Sequence, residues 1–199
     1  MNLLKRHLAE HNKTYSFLSI LVVSGFFCGV LLTRWLDGND IELLSKYLIT
    51  IPSSSLDMKS FFSTQIVLNS AFIIIIYLLG LSMIGIPFIA FVMFTKGVQI
   101  GFSCALFWHA YQFKGIVGII MTLFPQIIFE LVAYTLICKT AIEFSLSLLY
   151  CLFHSKTLPI LSVLNHTLTD LIISLLLILI ATFLKSTIII YLMKLFSMI

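Results

Sequence analysis

LNSAFIIIIYLLGLSMIGIPFIAFVMFTKGVQIGF, residues 68–102, decides the fold. Two long apolar runs flank the short motif Gly85-Ile86-Pro87. A helix needs about 20 apolar residues to cross a bilayer core of roughly 30 Å. Residues 64–85 and 87–107 each meet that length. A backbone in lipid must satisfy its own hydrogen bonds, so both runs are expected to be helices rather than strands. At the joint, Gly85 suits a left-handed helix cap and Pro87 suits a helix start, which predicts a very tight helical hairpin. A single kinked, partly re-entrant segment is the alternative.

The rest of the chain agrees. It has 199 residues, of which 60% are hydrophobic and only 10% charged, and its mean hydropathy is +1.13. Soluble domains carry about a quarter charged residues. The expected fold class is therefore all-α, a polytopic membrane helical bundle forming one integral membrane domain over residues 1–199. About five transmembrane helices are expected, at residues 15–35, 64–85, 87–107, 115–138 and 168–190. Residues 41–51 place Ile41, Leu44, Tyr47 and Leu48 on one face, and residues 140–155 are apolar but broken by polar groups. One or both suit interfacial amphipathic helices; ordinary connecting helices packed on the bundle are the alternative.

Charge gives an orientation and excludes little else. The net charge of +4 is spread along the chain, so no nucleic-acid partner is expected. Lys5, Arg6 and Lys13 against Glu10 favour a cytoplasmic N-terminus, and the first apolar run does not have the form of a cleavable signal. With five spans the C-terminus falls outside, and residues 34–62 and 108–114 face outward. Cys28, Cys104, Cys138 and Cys151 have no metal-ligand spacing and suit buried thiols. The five histidines show no HExxH pattern, and no nucleotide loop or nucleophile elbow is present. No catalytic residues, metal site or cofactor are expected.

Polar groups inside the apolar runs are the informative exceptions. Lys96 lies about nine residues beyond Pro87, roughly 14 Å into the bilayer. Glu130, about eight residues before Cys138, falls roughly 12 Å from the same surface. A buried lysine or acid costs at least about 2.5–3.5 kcal/mol on insertion scales, so an intramembrane ion pair, Lys96 with Glu130, is expected. Gln99 and Gln126 match in depth in the same way. Lys96, Gln99 and Ser103 read as one stripe; Thr122, Gln126, Glu130 and Tyr134 read as another. With Gln65, Asn69 and Lys185, these glutamines make an expected intramembrane polar network. Gly25 and Gly29, and Gly97 and Gly101, form two GxxxG pairs that allow close helix packing; Gly80, Gly85 and Pro87 add to the packing set. A structural ion is favoured over partner sensing or transport.

Residues 68–102, taken with LFPQIIFELVAY (residues 123–134), resemble the stage II sporulation protein M family. Asn69 opens the second span, Gly80, Gly85 and Pro87 shape the hairpin, and Lys96, Gly97 and Gly101 follow in the third. Pro125, Gln126 and Glu130 supply the element of the fourth span. The resemblance covers about the middle half of the chain. It implies a multi-span protein of the cell membrane without catalytic chemistry. In spore formers such a protein works with membrane-anchored peptidoglycan hydrolases, the stage II sporulation proteins D and P, in septal wall remodelling and engulfment. Expected partners are thus membrane lipids and those hydrolases, with homo-oligomerisation left open. The hydrolase anchors would dock on the GxxxG faces, and residues 41–51 and 108–114 would serve as further partner surfaces. The rival reading is a small-molecule or ion transporter subunit, whose pathway the polar stripes would line; a lipid-handling or membrane-shaping protein is a third.

Overall fold

The computed structural model describes residues 12–49, 55–82, 85–120, 124–154 and 160–196. These form six α-helices: α1 (Asn12–Leu32), α2 (Gly38–Ile49), α3 (Ser55–Gly80), α4 (Gly85–Gly118), α5 (Phe124–His154) and α6 (Ile160–Phe196). A 3-10 turn, Thr33–Trp35, links α1 to α2, whose first turn is anchored by Asp37 O accepting from Asp40 N (3.0 Å) and Ile41 N (3.1 Å). Lys5, Arg6 and Glu10, on which the orientation rests, lie outside the described residues, as does Thr122 of the polar stripe.

Four segments are long and apolar enough to cross a membrane: Lys13–Trp35, Phe62–Gly80, Gly85–His109 and Thr167–Ser186. Each buries one face and turns apolar side chains outward. Leu18, Ile73, Ile89 and Ile178 are fully buried, whereas Ile20, Val67, Phe91 and Ile172 on the same helices are exposed. Helices apolar on every side belong where one face meets protein and the other lipid. The chain is a membrane protein.

α5 departs from the span expected at 115–138. It starts at Phe124, with Pro125 in the first turn where no amide partner is needed, and continues to His154. Every residue from 137 to 142 is buried. Ala133, Tyr134, Ile137 and Cys138 join Ile73, Ile76, Ile89, Met93 and Ile178 in one core, so α5 is the central helix. Its inner face, packed against its neighbours, can carry Glu130, Lys139 and Glu143, while Phe124, Ile128, Val132, Leu146 and Tyr150 face outward. Residues 140–154 are therefore a continuation of α5 packed into the bundle, not a separate element.

Two connections also differ from expectation. α3 ends at Gly80, five residues earlier than the sequence suggested, with Leu81 N and Ser82 N closing turns onto Leu78 O (3.2 Å) and Leu79 O (3.0 Å). No described glycine has positive φ, so Gly85 is not a left-handed cap. It is the first residue of α4, and its missing side chain lets the backbone press against the Leu79 carbonyl. Pro87 then falls in the first turn of α4, a position it tolerates. Residues 108–114 are not an open loop either: α4 runs through them with a kink at Gln112 (φ 48°, ψ −125°).

Candidate functional site: a polar network across four helices

α4 and α5 run antiparallel, and Lys96 Nζ stands 2.7 Å from Glu130 Oε1. Both side chains are largely enclosed, at 14% and 19% exposure, where a charge without a counter-ion would be costly. The depth expected for Glu130 takes Cys138 as a helix end. α5 runs past that point, so the antiparallel register, not the count, brings the two charges together. Glu130 also accepts from Gln126 Nε2 on its other oxygen, at 3.4 Å, one turn earlier in α5. One turn later, the ring of fully buried Tyr134 lies beneath the ammonium, with Nζ 4.3 Å from the ring centroid. A desolvated cation–π contact of this kind contributes up to about 2 kcal/mol. The ammonium thus has a carboxylate on one side and an aromatic face on another.

The network extends to α3 and α6. Lys185 Nζ donates to Gln65 Oε1 at 3.2 Å. Glu130 and Lys96 both lie within Coulombic range of Lys185. Residues far apart in the chain are therefore brought together as two pairs, 65 with 185 and 96 with 130, near enough for their charges to interact. Asn69 is half-buried one turn from Gln65. Gln99 is a correction: it is exposed on the outer face of α4 and does not pair with Gln126, whose amide serves Glu130. Positions 96 and 99 differ by about 60° around a helix, enough to place one inside the bundle and the other outside.

The two GxxxG pairs face each other. A methyl group at Gly25 would run into Phe94 O and one at Gly29 into Val98 O; one at Gly97 would meet Val22 O and one at Gly101 Phe26 O. The small residues on α1 and α4 are each other's partners, which corrects the reading of these faces as open grooves for hydrolase anchors. Their effect is to let two backbones touch. Gly80 of α3 does the same against Ala141 of α5.

A second polar cluster went unread in the sequence. Thr140 Oγ1 donates to Asp170 Oδ2 at 2.6 Å, Lys139 Nζ pairs with Glu143 Oε2 at 3.1 Å, and Ser145 Oγ donates to Ser82 O at 2.9 Å. Tyr15 of α1 lies within Coulombic range of Glu143 and Asp170. These bonds fix α5 to α6 and to the α3–α4 turn. The signal in the sequence is the i,i+4 pair Lys139 and Glu143, which a span ending at residue 138 leaves outside the bundle.

Chemically, this is an arrangement of hydrogen bonds and ion pairs within the bundle, in which the buried Tyr134 hydroxyl finds no hydrogen-bond partner among the described residues. Among the described residues no three His, Cys, Asp or Glu side chains gather to hold a metal, and Cys28, Cys104, Cys138 and Cys151 are free thiols. A search of curated proteins returns no match, and neither does a search of solved structures. The family model for Stage II sporulation protein M matches residues 18–189, which takes in both GxxxG pairs, the Lys96–Glu130 pair and the Lys139–Glu143 and Thr140–Asp170 contacts of the second cluster. The chain therefore belongs to the stage II sporulation protein M family.

Proposed function

We propose that the protein is a non-enzymatic scaffold of the cell membrane, which recruits and localises membrane-anchored peptidoglycan hydrolases, stage II sporulation proteins D and P, for septal wall remodelling and engulfment. The observation that carries this reading is the family match over residues 18–189, joined to an all-helical membrane bundle. The internal geometry supports it. The ion pair and the glycine contacts tie helices to one another, which suits a rigid platform more than a moving pathway. Because the GxxxG faces are occupied within the bundle, hydrolase anchors would instead meet the apolar outer faces, such as Ile172, Leu176 and Phe183 of α6.

The proposed orientation has the N-terminal end of α1 in the cytoplasm. Tyr15 lies near Asp170, at the start of the last span, so the far end of α6 would emerge on the opposite, wall-facing side.

Mild-detergent extraction from sporulating cells, followed by identification of co-purified proteins, tests the proposal. The two hydrolases are expected with the wild-type chain and lost when outward residues of α6 become charged. Their absence from wild-type extracts would count against it. The transporter reading draws on the four-helix polar network, and flux into liposomes that falls with Glu130→Gln would support it instead.

A further inference from the structure

Gln99 has a side chain whose chemistry the fold leaves unanswered. It sits about 14 residues into α4, roughly 21 Å along the helix. That places it near the centre of the Gly85–His109 span, yet it is exposed on the outer face. Hydroxyls on outer faces are satisfied locally: Ser19 Oγ donates to Tyr15 O (2.8 Å), Ser24 Oγ to Leu21 O (3.0 Å) and Thr95 Oγ1 to Val92 O (2.8 Å). Short side chains fold back on their own helix in this way, but a glutamine amide does not. Gln99 makes no hydrogen bond within the described bundle. Facing hydrocarbon, an amide without a partner is costly.

We infer that the Gln99 face of α4 is a self-association surface, on which a second copy of this chain docks so that the two Gln99 side chains hydrogen-bond to each other. The occupant follows from the amide itself. It carries donors and an acceptor in one group, so it is its own complement. A two-fold axis along the membrane normal sets Gln99 opposite Gln99 at equal depth, and each amide then both gives and receives. A different partner would have to bring its own polar group to the same depth. The rest of the patch suits apolar packing: Phe88, Phe91 and Thr95 are exposed at one-turn intervals leading to Gln99. The glycines of α4 are already used against α1, so the contact is made by larger side chains with the amide pair at its centre. The inference stands apart from the scaffold reading, because it concerns copies of the chain and not hydrolases.

Two measurements test it. Differently tagged full-length copies are co-expressed and purified on one tag. Wild type is expected to carry the second tag through; Gln99→Leu should reduce it about tenfold, the scale of losing a pair of interhelical hydrogen bonds. Phe27→Leu, on the outer face of α1, should leave it unchanged. Gln99 is exposed, so the leucine variant should keep its yield and its melting temperature. Independently, a photo-crosslinking amino acid in place of Phe91, exposed on the same face with Gln99 kept, should give a product of twice the chain's mass in native membranes. Undiminished co-purification of Gln99→Leu, or crosslinks from position 91 only to lipid or to another protein, would overturn the proposal.

Discussion

Gly25 and Gly97 are reciprocal neighbours: a methyl group built on either stands 3.1 Å from the α-carbon of the other. The added atom at Gly25 also runs into Phe94 O, and that at Gly97 into Val22 O. Backbone carbonyls in a helix cannot swing aside as a side chain can, so the two helices must separate to admit any larger residue. Gly97→Leu and Gly25→Leu are expected to destabilise the bundle by about 1–3 kcal/mol, as overpacking does. Thermal melts in detergent would read this as a lowered midpoint. An unchanged midpoint would mean that α1 and α4 are not in backbone contact.

The ion pair predicts an asymmetry between single and double replacements. Glu130→Gln leaves the Lys96 ammonium beside Tyr134 without its carboxylate, and a loss of about 3–5 kcal/mol is expected for breaking a buried pair from one side. Replacing both, as Lys96→Met with Glu130→Leu, should recover most of it, because two apolar groups need no partner. Equilibrium unfolding of the wild type, Lys96→Met, Glu130→Leu and the double variant would give the coupling directly. Additive single and double effects would show that the pair contributes nothing as a pair.

Thr140→Val removes the hydroxyl that donates to Asp170 and leaves the carboxylate short of a donor. A cost of about 1–3 kcal/mol is expected, because the group left behind is charged. Thr140→Ser, which keeps the hydroxyl, should behave nearly as wild type. Equal losses in the two variants would assign the effect to packing and not to the bond.

If the network is structural, liposomes containing the wild-type chain should pass ions and protons no faster than empty ones. Stopped-flow measurements with a trapped pH or ion reporter check this. Flux above the empty-liposome rate that Glu130→Gln abolishes would replace the scaffold reading with transport.

How much of this was legible in the sequence depends on which physical effect decided each position. The apolar lengths of α1, α3, α4 and α6 follow from hydropathy, since those helices meet lipid. Lys96 and Glu130 could be matched because a charge in an apolar run must find an opposite charge. Gln99 was misplaced because an amide is tolerated inside or outside, and three residues on a helix do not fix a face. α5 was truncated and shifted for a related reason. Its burial is supplied by other helices, so its own polarity at Lys139, Thr140 and Glu143 looked like the end of a span. The mutual fit of the two glycine pairs was invisible, because spacing within a helix says nothing of which surface it meets.

The central position of α5 has a consequence for how the protein is made. Glu130 weighs against insertion, by roughly 2.5–3.5 kcal/mol for a charge placed deep in the bilayer, whereas Lys139 and Glu143 pair with each other close to the level of the α3–α4 turn. α1, α3 and α4 precede α5 in synthesis and are apolar enough to partition into lipid one at a time. α5 is not, and its Asp170 contact waits on α6, which the ribosome delivers last. The Lys96 ammonium that pairs with Glu130 therefore precedes α5 into the membrane, and the Thr140–Asp170 bond closes only when α6 has followed.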